Sequence, residues 1–160
     1  MCMKYVNINV QCFKPKTKSL FVNTDCPSLL ATVKAERKED KYVIGGFGIA
    51  TFINIRGTVN EQNTDNPLNN KEKLDFRLRL TKLDEDKNKQ KSYNLKDFSI
   101  DLSENSVVHH ACFDYMERIE ITNIDELVLD ELGAYVVKVL VKKSAAEKYD
   151  VQMLHPLFVE

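Results

Sequence analysis

The chain has no tryptophan, no Cys-x-x-Cys pair, no Asn-x-Ser/Thr acceptor and no long apolar run. No stretch approaches the roughly 18 apolar residues that a membrane helix needs. At the N-terminus, Met1-Cys2-Met3-Lys4-Tyr5-Val6-Asn7 alternates with polar residues where a secretory leader would be continuously apolar. Net charge is −1, from 23 basic and 24 acidic residues, so no global field favours nucleic acid or anionic membrane. Cys2, Cys12, Cys26 and Cys112 lack the spacing of a zinc or redox motif, and three of them fall on apolar, strand-like segments. Reduced, buried thiols and a cytoplasmic location are the expectation.

A chain of 160 residues, 43% hydrophobic and 29% charged, is suited to a single globular domain spanning 1–160. Period-two alternation recurs along it. Val6, Ile8, Val10 and Cys12 alternate with Asn7, Asn9 and Gln11, and Leu74, Phe76, Leu78 and Leu80 alternate with Asp75, Arg77 and Arg79. Tyr135, Val137, Val139 and Val141 share a third strand face. The run Tyr42 to Ile55 is apolar on both faces and reads as a central strand, with a bulge or sharp bend at Gly45, Gly46 and Gly48. Val107 to Met116 and Arg118 to Thr122 are further strand candidates.

Between these strands, the Asn-rich stretch Gly57 to Lys73 reads as an exposed mobile loop. Asp84-Glu85-Asp86-Lys87-Asn88-Lys89 reads as a hairpin turn. Ser144 to Tyr149 has room for one helical turn. Ser28 to Arg37 fits a helical stripe through Leu29, Leu30 and Val33, and equally a strand through Leu29, Ala31, Val33 and Ala35; the strand is the preferred reading. About nine strands with short polar breaks imply an all-β, antiparallel sandwich.

The closing segment is the most specific. Gly133-Ala134-Tyr135 opens a Val-rich strand, and Leu154-His155-Pro156-Leu157-Phe158-Val159 follows as the last one. This spacing places Tyr135 at the corner before the penultimate strand, its hydroxyl tied to an upstream backbone group. Three stretches, Pro27 to Lys34, Leu74 to Leu80 with Asp84-Glu85-Asp86, and Gly133 to Val141 with Pro156 to Val159, resemble a family of uncharacterised bacterial β-sandwich proteins that are immunoglobulin-like in outline. The resemblance implies an immunoglobulin-like sandwich and no catalytic residues. An antibody-type domain is excluded, because no Cys pair flanks a tryptophan.

Candidate chemistry is sparse. In a strand, His110, Cys112 and Asp114 of His109-His110-Ala111-Cys112-Phe113-Asp114 project from one face, and all three are zinc-ligand types. Same-face neighbours stand about 7 Å apart, so a half-buried structural strand is the simpler account. A Cys112/His155 nucleophilic pair has no elbow turn or oxyanion motif behind it. Gly45-Gly46-Phe47-Gly48 lacks phosphate-loop spacing. Lysines at Lys14, Lys16 and Lys18, at Lys87, Lys89 and Lys91, and at Lys142 and Lys143 are read as solvated turns ahead of an anion patch. Asp84, Glu85, Asp86 and Asp101, or Asp125, Glu126, Asp130 and Glu131, lack EF-hand spacing for calcium.

With no cofactor indicated, the leading expectation is a non-enzymatic module that binds a protein partner or self-associates through edge strands. The alternative is a small-molecule or carbohydrate binder using Tyr5, Tyr42, Tyr93, Phe98 or Tyr115. A metal-dependent enzyme centred on His110 and Cys112 ranks last.

Overall fold

A computed structural model describes residues 4–14, 28–58, 73–86, 90–102, 106–109, 112–143 and 148–160. Among them the chain is all-β with no helix. In chain order the strands are β1 (Lys4–Lys14), β2 (Ser28–Leu29), β3 (Thr32–Val33), β4 (Glu36–Lys38), β5 (Lys41–Ile44), β6 (Phe47–Thr58), β7 (Lys73–Lys82), β8 (Ser92–Asp101), β9 (Ser106–His109), β10 (Cys112–Ile124), β11 (Leu127–Leu129), β12 (Gly133–Lys143) and β13 (Asp150–Val159). They form three sheets: sheet A in the order β2-β1-β6-β10-β9, sheet B in the order β3-β13-β12-β7-β8, and the small sheet C in the order β11-β5-β4.

The alternating sequences become opposed inner faces. Ile8, Val10 and Cys12 of β1 pair with Ile53, Thr51 and Ile49 of β6 and point inward from sheet A. Leu74, Phe76, Leu78 and Leu80 of β7, with Tyr135, Val137, Val139 and Val141 of β12, point inward from sheet B. Together with Ile44 and Leu129 of sheet C they make one hydrophobic core. Phe76 and Phe98, directly opposite on β7 and β8, stack with ring centroids 5.0 Å apart, an arrangement that adds to plain area burial.

Several boundaries differ from the sequence reading. Among the described residues thirteen strands replace about nine, because the first half of the chain breaks into short pieces that change sheet. Tyr42 to Ile55 is two strands. At Gly45 the chain leaves sheet C for sheet A, and a Cβ there would lie 2.0 Å from the Asp125 carbonyl oxygen, so no larger residue fits without movement. The bend is closed by the Gly46 amide donating to the Ile124 carbonyl at 2.8 Å. The glycines therefore make a sharp bend.

Ser28 to Arg37 is extended, as preferred, but as a strap that touches all three sheets in turn. Leu30 N donates to Cys12 O at 2.8 Å on sheet A, and Phe158 N donates to Ala31 O at 3.0 Å on sheet B. β4 then enters sheet C. The β3–β13 pair is parallel, so sheet B is mixed where an antiparallel arrangement was expected. The strand expected over Val107 to Met116 folds back after His109, and β10 runs on through Arg118 with a register shift after Tyr115.

The β7–β8 hairpin forms where the acidic turn was expected. Most of the Gly57 to Lys73 stretch and of Ser144 to Tyr149 lies outside the described residues, although Gly57 and Thr58 end β6 and Lys73 begins β7.

The tyrosine corner is present. Tyr135 is buried at the start of the penultimate strand, and its hydroxyl donates to the Glu131 carbonyl at 2.5 Å. Burial and neighbouring negative charge push the phenol well above its ordinary pKa. Gly133, at φ 115°, supplies the left-handed backbone between Glu131 and Tyr135.

Tyr135→Phe is expected to lower unfolding free energy by about 1–2 kcal/mol, since the Glu131 carbonyl loses its partner; denaturant titration with an unchanged midpoint would refute the tie. Thr51 Oγ1 and Thr122 Oγ1 are buried without a partner on neighbouring strands of the inner face. Thr51→Val should therefore raise stability by about 1 kcal/mol in the same titration.

Candidate functional site

Because inward positions feed the core, whatever sheet A offers to other molecules stands on its outer face. Strand pairing sets that face in rows. Asn7 of β1 lies opposite Asn54 of β6, Asn9 opposite Phe52, and Gln11 opposite Ala50. β10 continues the rows, with Ile119 beside Phe52 and Ile121 beside Ala50. Asn7, Asn9, Gln11, Phe52, Asn54 and Arg56 line a hollow of about 420 Å³, within the roughly 300–1,000 Å³ usual for small-ligand sites. Its chemistry is four carboxamides, one phenyl ring and one guanidinium, with no carboxylate and no thiol among the lining residues.

The strongest electrostatic feature lies elsewhere. Asp130, in the connection between β11 and β12, accepts from Lys41 of β5, from Lys91 at 3.0 Å and from the Tyr93 hydroxyl of β8 at 3.3 Å. The Lys41 and Lys91 ammonium groups hold its carboxyl down at about 2, and both lysines are raised in return. Tyr93 in turn accepts from the Asp130 amide at 3.3 Å. With each of its oxygens held by a lysine, Asp130 is a structural tie between sheets B and C.

A second polar group closes the gap between β8 and β10. Lys96 Nζ meets Glu120 at 2.5 Å and donates to the Ile121 carbonyl at 3.1 Å, and Arg118 meets the other Glu120 oxygen at 3.2 Å. Although burial opposes ionisation, these two cations hold the Glu120 carboxyl below its ordinary pKa.

The residues singled out from sequence are dispersed. His109 ends β9 opposite Cys112 at the start of β10, and Cys112 and Asp114 both lie on β10. His110 itself lies outside the described residues. Among the described residues no three His, Cys, Asp or Glu side chains gather as a metal site would require. His155 is on β13 opposite Val137, in a different sheet from Cys112, and burial lowers its pKa. Cys12 is a free, buried thiol, raised to about 11 by desolvation, which disfavours the reactive thiolate.

Of the lysine clusters, Lys91 is held by Asp130, and Lys142 sits over the Tyr149 ring at 5.0 Å and 4.0 Å from Asp75. Asp84 accepts from the Asp86 amide at 2.9 Å, a local turn contact. Of the aromatics expected to be exposed, the three whose side chains are described are partly buried. Tyr42, Tyr93 and Phe98 pack against the core, and the side chains of Tyr5 and Tyr115 lie outside the description. The ring that does face outward beside polar groups, Phe52, was hidden in a run apolar on both faces. The alternation of Asn7, Asn9 and Gln11 was its visible signal.

Comparison with protein-family models, with curated proteins and with solved structures gives no match. Among the described residues no helix is long and apolar enough to cross a membrane.

The Asp130 tie has a defined acid response. The carboxyl ionises at about 2 when folded, against 3.8 ordinarily. Its stabilisation is therefore full above the ordinary value and drains as pH falls through that window. Asp130→Asn is expected to melt below wild type at pH 7, with the gap closing as pH approaches the folded-state value. A gap independent of pH would show that the carboxylate charge is not what holds the turn.

Proposed function

We propose that the chain is a non-enzymatic protein-interaction module of the cytoplasm, built as an immunoglobulin-like sandwich. Two five-stranded sheets on one core and the Tyr135 corner support the sandwich reading. The third sheet and the parallel β3–β13 pair are its departures from the immunoglobulin pattern. The free buried thiol of Cys12 supports a reducing compartment.

The observation that carries the interaction reading is the outer face of sheet B along β12 and β13. Val151, Leu154 and Phe158 point outward and are each about half exposed, at 51%, 52% and 49%. Register sets them beside Leu140, Lys138 and Ala134 of β12, with Pro156 beside Val136. Contiguous apolar surface of this kind marks a contact site more often than it serves solubility.

The contact uses the face in preference to the edge. Pro156 lacks the amide that an added strand would need on β13. On β10, Lys96 already occupies the Ile121 carbonyl. The nearly neutral chain offers no steering field, so apolar area must supply the affinity. A second copy of the chain meets the same strip through a two-fold axis, which places the residues of one copy against themselves in the other.

Light scattering tests this reading. Wild type is expected to approach the mass of two chains as concentration rises. The double substitution Leu154→Glu and Phe158→Glu should return it to one chain with an unchanged circular dichroism spectrum. A wild-type chain that stays monomeric at its highest soluble concentration would sink the reading.

A further inference from the structure

We infer that the outer hollow of sheet A is a binding site for a neutral saccharide, held by the carboxamides of Asn7, Asn9, Gln11 and Asn54 around the ring of Phe52. The site lies on the sheet opposite the proposed protein-contact strip and does not depend on it.

The lining selects the ligand class. A carboxamide offers two donors and one acceptor and carries no charge. That matches a hydroxyl, which donates and accepts at once, better than it matches an ion. Because no carboxylate lines the hollow, a metal ion has no ligand of its preferred type there. Arg56 is the single cation among the six lining residues, whereas a polyphosphate or nucleic-acid backbone is met by several. Nor is there a row of rings on which successive bases would stack, since Phe52 is the one aromatic in the lining.

The geometry is also repetitive. Same-face residues recur about every 7 Å along a strand, and neighbouring strands lie about 4.8 Å apart. The amides of β1 and β6 thus form a grid of hydrogen-bonding groups spread around one apolar platform. Sugars carry both surfaces, hydroxyls at the rim and a patch of C–H groups on the ring face, and Phe52 lies where that patch would rest. Ile119 continues the apolar surface beside Phe52 on β10.

Strand chemistry makes the amides conspicuous. Asparagine is depleted in strands relative to threonine and valine. A face needed only for solubility would be served as well by Thr, Lys or Glu. β1 nonetheless presents Asn, Asn and Gln in succession, and β6 places Asn54 directly opposite Asn7.

The test uses the whole chain against two sets of soluble probes by calorimetry. One set holds neutral oligosaccharides (gluco-, galacto-, manno- and xylo-oligomers, and oligomers of N-acetylglucosamine). The other holds uronate oligomers. At least one neutral oligosaccharide is expected to bind with Kd about 1 mM or tighter. Asn9→Thr and Gln11→Thr, which favour the strand, should each weaken that binding about tenfold, the loss of one good hydrogen bond, with no drop in melting temperature. Phe52→Ala should abolish it, and Phe52→Tyr, which keeps the ring, should restore it. Three results would overturn the inference: no neutral probe binds, binding is indifferent to Asn9→Thr and Phe52→Ala, or only uronates bind, which would make the site an anion site governed by Arg56.

Discussion

The three-residue connection from Asp130 to Leu132 holds the three-sheet arrangement at its most vulnerable point. There the chain passes from the small sheet C into the large sheet B. A passage between sheets leaves backbone groups unpaired, and each must find another partner. Asp130 gathers Lys41 from sheet C, and Lys91 and Tyr93 from the β8 side of sheet B, onto one carboxylate. The Tyr135 hydroxyl then takes the Glu131 carbonyl. Lys82 lies over the Tyr135 ring at 5.6 Å, and Leu83 donates to Ala134 at 2.9 Å, fastening the β7–β8 end to the same place. The tie is partly exposed, so it fixes position more than it stores energy.

The core between the large sheets is closed by different means on its two flanks. On one, the strap through β2, β3 and β4 satisfies backbone groups of β1 and β13, including Ala35 to Glu160 at 2.7 Å. On the other, closure is by side chains, where Lys96 from sheet B reaches Glu120 and the β10 backbone. The second flank admits polar residues among apolar ones, and Thr51 and Thr122 stand beside it with buried hydroxyls. A fully apolar strand at that position would present an uncapped hydrophobic edge, the feature that invites uncontrolled strand addition.

Much of the fold was legible because period-two patterns are local. Val6 to Cys12, Leu74 to Leu80 and Tyr135 to Val141 all face the core as their alternation implies. The tyrosine corner was legible for the same reason, since hydroxyl and carbonyl are four residues apart. What escaped depends on contacts distant in sequence. Nothing near Gly45 announces that Asp125 will press against it, so the run through Ile55 read as one strand. The pairing of His109 with Cys112 is equally silent, because the residues on either side are all acceptable in strands.

The candidate site was half legible, and the missing half is instructive. Asn7, Asn9 and Gln11 announced a polar face, but a polar face alone is what any solvated strand displays. It becomes specific only through register, which sets Phe52 and Asn54 of β6 beside these amides. The same register rule puts Ile119 and Ile121 of β10 on the outside and Glu120 and Thr122 within, inverting the usual sorting along that strand. A one-residue slip of β10 would bury both isoleucines and expose Glu120. The register held here keeps Ile124 in the core, with Lys96 and Arg118 neutralising the inward carboxylate. That compensation is what leaves an apolar margin of β10 next to the amide hollow. Charge inside and apolar surface outside on one strand thus follow from a single register, and Ile124 at the buried end of β10 fixes that register.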